Sequence, residues 1–203
     1  MKLYYFPIAP NPTRVIVYLR EKGIGLEEQL VDLREGQQNS PEHLARNPAG
    51  ALPVLELDDG QYLTESLPII EYLEELYPQP PMVGTTPQER AQTRCAERRV
   101  EQGVLNTVGR IVHATNSPLG LPPNPAVAEL ETERMHTALA RLEVAVGDGP
   151  FVMGERVTIA DCTLFAGLHF GEFFGVGLDD NYPNLCAWYA RFKQRPSAQS
   201  AML

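Results

Sequence analysis

The chain's 203 residues, 43% of them hydrophobic, suffice for a buried core in one large or two modest domains. Its 26 acidic against 17 basic residues leave a formal charge of −9, which argues against a nucleic-acid partner and suits a solubilising surface. No run of about 18 apolar residues offers a membrane span, and the opening Met1-Lys2-Leu3-Tyr4-Tyr5-Phe6-Pro7 is too short and too aromatic for a signal-peptide core, so the expected location is the cytoplasm.

Residues 3–6 read as a first strand. Residues 12–22 read as a helix with Val15, Ile16 and Leu19 on one face and Gly23 as its stop. Residues 29–33 read as a second strand and, after a looser connection, 54–57 as a third. Asp58-Asp59-Gly60 is a hairpin turn that returns the chain as a fourth strand over 61–63. A helix over 67–76 closes the unit, with Pro68 in its first turn, where a missing N–H costs little. One parallel crossover plus one hairpin predicts a mixed four-stranded sheet in a thioredoxin-like α/β domain over 1–77. Residues 78–87, rich in proline, read as a linker. Strand signals then fade, and 88–203 is predicted to be all α: a long helix from 88 to about 114, a rigid loop over 117–125, helices over 126–146 and from Thr158 to about 173, and a last one over 184–194 that Pro196 ends.

Cys95, Cys162 and Cys186 are widely spaced with no CxxC pair and read as reduced core thiols. His43, His113, His136 and His169 lack metal-ligand spacing, so no metal is expected.

Leu52-Pro53-Val54 enters a strand, and Thr64-Glu65-Ser66 follows at the mouth of a helix. That arrangement can hold a small zwitterionic peptide. Glu65 offers a carboxylate to an ammonium, and Ser66 offers a hydroxyl and an N–H to a carboxylate at the positive end of a helix dipole. Leu52 offers its main chain to the middle of an extended ligand, a reason for the bond to Pro53 to be cis. The other reading of Glu65-Ser66 is an ordinary helix cap with an acid beside it.

Asn11 before Pro12 predicts a helix start with Asn as the N-cap. Asn11 is then either only a cap, or a cap whose amide nitrogen also faces an incoming sulfur. A thiol near pKa 8.5 is a few per cent ionised at neutral pH, and lowering it by about two units takes roughly 2.7 kcal/mol of preference for the anion. A helix N-terminus with one or two donors supplies energy of that order. Thr13 is a second candidate donor; Tyr5 is a third and reads better as packing. Thr158-Ile159-Ala160-Asp161 fits a capping box and is read as structural. Asn106, Arg110 and His113 share a helix face, which either lines a second-substrate cleft or is a solvated stripe. Phe165, Phe170, Phe173 and Phe174 read as core.

Taken together, these residues resemble a cytosolic glutathione transferase over the whole chain: Tyr4-Tyr5 leading into the 9–15 turn, Asn47-Pro48, Leu52-Pro53-Val54, Glu65-Ser66 and the Thr158–Asp161 box. The resemblance implies that Glu65 and Ser66 hold the γ-glutamyl group of glutathione, that Leu52 beside Pro53 pairs with the cysteinyl backbone, and that Gln38 lies near the glycyl carboxylate. Many classes place a catalytic Ser or Cys where this chain has Ala9, which has no donor. Ala9-Pro10-Asn11 instead resembles the bacterial Nu class and the yeast nitrogen-regulator prion protein, which points to Asn11 as the catalytic residue. The implied activity is attack of a glutathione thiolate on a hydrophobic electrophile, with Ile8, Asn106, Arg110 and His113 lining the second-substrate pocket. Reduction of small disulfides or peroxides, and a glutathione-binding carrier or regulator without turnover, are the other readings. Glutathione is a co-substrate and no cofactor is implied. A homodimer is implied, with Arg94, Arg98 and Arg99 meeting acids of the partner or forming a solvated face.

Overall fold

The computed structural model describes residues 1–202. Strand β1 (Lys2–Tyr5) leads through a proline-rich turn into helix α1 (Pro10–Lys22), which returns the chain to β2 (Glu27–Leu30), parallel to β1. A 3₁₀ turn over Gln37–Asn39 and a short helix α2 (Pro41–Arg46) lead to β3 (Val54–Glu56), antiparallel to β1, and then to β4 (Tyr62–Thr64) and helix α3 (Ser66–Leu76). The sheet order is β2-β1-β3-β4, the mixed four-stranded arrangement expected of one crossover and one hairpin. Leu3 of β1 faces Leu55 of β3 in register, and both are fully buried. Strand β2 stops short of the predicted 29–33 because its partner ends at Tyr5. Val31 N–H still reaches the Tyr5 carbonyl, and the chain then turns on the Asp32 carboxylate, which accepts from the Arg34 N–H.

Helix α1 begins at Pro10 with Ala9 as its N-cap, not at Pro12 with Asn11 as the cap. Pro10 and Pro12 both fall in the first turn, where N–H groups have no intrahelical partner, so their missing donors cost nothing there. The helix then carries a buried polar stripe. Arg14, Tyr18 and Lys22 recur every four residues and are 2%, 0% and 8% exposed. Tyr18 Oη and Lys22 Nζ donate to Glu74 Oε2 of α3 at 2.7 and 2.6 Å. The other Glu74 oxygen accepts from the N–H groups of Met82 and Val83 at 2.8 and 3.1 Å, which ties down the segment leaving α3.

The helical part consists of α4 (Pro87–Val100), a π-helical stretch over Glu101–Leu105, α5 (Asn106–Thr115), α6 (Pro125–Val146), α7 (Ile159–Phe173), α8 (Pro183–Lys193) and α9 (Pro196–Gln199). The predicted long helix is therefore continuous but contains a wider turn. Neighbouring helices press on that turn: a Cβ on Gly103 would lie 2.5 Å from Ala138 Cβ of α6, and one on Gly167 of α7 would lie 3.0 Å from Leu105 Cα. Pro196 starts α9 where it was expected only to end α8, since a proline suits the first helical position equally well. Helix α2 was missed as a loose connection, although Ser40 caps it and Pro41 opens it. None of the described helices is long and apolar enough to cross a membrane.

A single apolar cluster runs through both parts, from Leu3 and Val15–Leu19 through Phe165 to Trp188. Helix α7 lies at its centre. Its start is closed by Asp161, whose carboxylate accepts from Val152 N–H, Thr158 N–H, the Thr158 hydroxyl and Trp188 Nε1–H at 2.8, 2.9, 3.0 and 3.2 Å. Burial pushes the Asp161 carboxyl up to about 6 against the pull of those donors. Of the cysteines expected in the core, Cys162 is buried, Cys186 is half-buried and Cys95 is exposed on α4. Phe165 and Phe170 are buried as expected, whereas Phe173 is 58% exposed at the end of α7.

Candidate active site

The starts of α1 and α3 meet side by side. Ser66, the first residue of α3 and 2% exposed, has its hydroxyl 3.1 Å from Asn11 Oδ1 on α1. Each helix start is preceded by backbone strain. Ile8 has φ 71° and Glu65 φ 68°, the only non-glycine residues at positive φ among those described. For a β-branched residue this is an outlier, and each such residue costs about 1–3 kcal/mol that the surrounding structure must offset.

The α1 start is short of donors of its own. Pro10 and Pro12 have none, Thr13 N–H is taken by the Ala9 carbonyl at 3.0 Å, and Asn11 makes no cap bond, so the Asn11 N–H and amide are what this helix end can offer. The Thr13 hydroxyl is buried without a partner. Tyr5 packs against the main core.

Behind Ser66 stands a buried cation. Arg14 Nε donates to Ser66 Oγ at 2.7 Å, and its Nη1 and Nη2 donate to Glu97 and Glu101 of the helical part at 2.9 and 3.4 Å. Glu97, fully buried, also accepts from the Thr163 hydroxyl at 3.1 Å. Burial pushes the Glu97 carboxyl up, against the pull of Arg14. The sequence reading missed Arg14. The signal was the four-residue spacing of Arg14, Tyr18 and Lys22 along a helix whose apolar residues surround them.

The third wall is the segment before β3. The Leu52–Pro53 bond is cis. His43 Nε2 and Asn47 Nδ2 both bond the Ala51 carbonyl, at 3.1 and 2.9 Å, and Asn47 Oδ1 accepts from Ala49 N–H, so the approach to Leu52 is held from behind. Gly50, at φ 61°, lets the chain pass the 3₁₀ turn: a Cβ there would lie 3.2 Å from the Gln38 carbonyl. Gln38 is half-buried and its Oε1 has no partner. Glu65 is exposed.

The predicted second-substrate residues divide. Ile8 packs against the main core. Asn106 and His113 are half-buried on α5, and His113 Nδ1 lies 2.9 Å from Ser117 Oγ. Burial holds the His113 pKa below its ordinary value. Arg110 turns away to α6, where the buried Glu131 takes it at 3.2 Å together with Arg134 at 2.7 Å. It lines a cleft between α4 and α6 that also includes Arg99 and Arg141. Two arginines expected to face a partner are paired within the chain, Arg94 with Glu71 at 2.6 Å and Arg98 with Glu101.

The comparisons with known proteins identify the family. Residues 3–81 match the glutathione S-transferase N-terminal domain and residues 111–196 the C-terminal domain. The chain belongs to the glutathione S-transferase family. It is 32% identical to glutathione S-transferase 2 of Saccharomyces cerevisiae over all of this chain and 89% of that protein. It is 35% identical to the maleylacetoacetate isomerase of Pseudomonas aeruginosa over 88% of this chain and 85% of the relative. Among solved structures, a glutathione S-transferase domain-containing protein of Marinobacter aquaeolei superposes with a TM-score of 0.90 at 35% identity, covering 98% of this chain and 100% of the other.

Proposed function

We propose that the protein is a glutathione transferase that binds glutathione as its thiolate and delivers it to an electrophilic co-substrate. The observation that carries this reading is the contact between Asn11 and Ser66 at two adjoining helix starts, each strained on its entering side. In this reading the γ-glutamyl group lies at Glu65 and at the hydroxyl and N–H of Ser66, and the cysteinyl backbone pairs with Leu52 beside Pro53. The glycyl carboxylate approaches Gln38, and the sulfur meets the donors of Asn11. Two positive helix ends and an amide supply the roughly 2.7 kcal/mol that a two-unit drop in thiol pKa requires. The second substrate lies beside Ile8, Asn106 and His113. Glutathione is the co-substrate and no cofactor takes part. One relative is an isomerase, so isomerisation of an activated alkene belongs beside conjugation in the substrate panel.

Ultraviolet titration of the bound thiol tests the mechanism. The wild-type complex is expected to ionise about two units below free glutathione, and Asn11→Ala to return it most of the way. An unshifted thiol in the wild type removes the mechanism. The reading extends to a cytoplasmic homodimer, and the cleft bearing Arg99 and Arg141 is the face that would receive acids of a second copy. Sedimentation at micromolar concentration checks it, and a monomer alone would refute it.

A further inference from the structure

The Ala51 carbonyl is held twice. His43 in α2 and Asn47 at its C-cap stand four residues apart, 1% and 7% exposed, so they share a face. Both reach that one oxygen, His43 Nε2 at 3.1 Å and Asn47 Nδ2 at 2.9 Å. A carbonyl only accepts, so His43 Nε2 carries the proton and, in the neutral ring, Nδ1 is bare. Nδ1 is buried without a partner. Asn47 alone would satisfy the carbonyl, and an apolar side chain at position 43 would leave no stranded nitrogen. The second donor is therefore more than folding of this segment requires.

What that donor does follows from peptide geometry. The cis bonds among the described residues precede Pro53 and Pro80, so the Ala51–Leu52 peptide is trans and planar, with its C=O and N–H pointing opposite ways. One donor on the oxygen lets the plane rock about that bond, whereas two from different positions fix it. Leu52 N–H then points away from α2, and it finds no backbone partner among the described residues. Donation to the carbonyl also polarises the amide and makes the N–H at its other end a better donor. We propose that His43 is a positioning residue: with Asn47 it fixes the plane of the Ala51–Leu52 peptide, and so aims and strengthens the Leu52 N–H for the carbonyl of the ligand's middle residue. The inference rests on the reading in which Leu52 pairs with the cysteinyl backbone, and it adds the side chain that gives that bond its direction. Binding of the ligand leaves the grip intact, because the two bonds use opposite ends of one peptide unit.

The test is affinity by calorimetry in wild type, His43→Phe and His43→Gln, with glutathione and with an analogue whose cysteinyl C=O is replaced by CH₂. A phenylalanine fills the space of the imidazole without a donor, and a glutamine carries an amide nitrogen at nearly the reach of Nε2. His43→Phe is expected to weaken glutathione about fivefold, on the scale of one neutral hydrogen bond, and to leave the analogue unchanged. His43→Gln should recover most of that loss. A residue that only steadies the fold would weaken both ligands alike. If glutathione does not bind the wild type, or the analogue binds as tightly as glutathione, the pairing of Leu52 with the cysteinyl backbone itself falls. If the wild type prefers glutathione but His43→Phe weakens both ligands equally or neither, or His43→Gln binds no better than His43→Phe, the positioning role alone is overturned. The wild type keeps the test decisive if His43→Phe fails to fold. Nitrogen NMR of the neutral His43 ring is expected to show Nε2 protonated and Nδ1 bare, and the opposite tautomer overturns the proposal.

Discussion

The starts of α1 and α7 solve the same problem in opposite ways. At α7, one carboxylate closes the helix end: Asp161 takes four donors from Val152, Thr158 and Trp188. At α1, the cap is an alanine, two prolines remove donors, Asn11 makes no cap bond, and Ile8 and Glu65 nearby are strained. A helix end closed by its own chain serves folding. One left open beside backbone strain is free to serve a ligand, and the two are told apart by counting donors and acceptors.

That contrast can be broken most forcefully at the closed end. Asp161→Ala strands four buried donors and should cost about 3–5 kcal/mol in denaturant unfolding, with the glutathione affinity of the folded fraction unchanged. Equal damage to affinity and stability would mean that the cap also serves the site. At the open end, proton release sharpens the contrast. A thiol whose pKa falls on binding releases a proton between the bound and free values, so affinity should rise with pH across roughly 6.5 to 8.5 and level off above. Calorimetry in buffers of different ionisation enthalpy reads the release directly, and Asn11→Ala should abolish most of it. The smallest effect is expected from closing the open end. Ala9→Ser offers an oxygen to the Asn11 N–H and should stabilise the fold by about 0.5–1 kcal/mol while weakening glutathione binding, because cap and ligand compete for one donor.

Much of this was legible in sequence. Period and turn chemistry place the four strands and the long helices, because Leu3, Val15, Leu19 and the Asp58-Asp59-Gly60 turn have local signatures. Helix starts were less legible where proline was ambiguous: Pro12 and Pro196 each fit two positions, and tertiary packing chose between them. The Thr158–Asp161 cap was readable because both partners lie within one turn, whereas Asp161's bonds to Val152 and Trp188 span the fold. Arg14 was hard to read for the same reason. Its partners Ser66, Glu97 and Glu101 lie far along the chain, and a charged residue in an amphipathic helix reads as surface until its acids are seen. Arg110 shows the converse: a buried acid on α6, beyond what a helix face reveals, decides where its charge goes.

The polar stripe of α1 has a consequence for modularity. Arg14 is answered by Glu97 of α4 and by Glu101 just after it, and Glu74 pins Met82 and Val83, so hydrogen bonds cross the seam that composition suggests between 77 and 87. The sheet unit of this chain, taken alone, would keep the Arg14 charge without the acids that answer it. The two halves are therefore coupled in folding: removing the acid at Glu97 leaves the buried Arg14 charge without its partner.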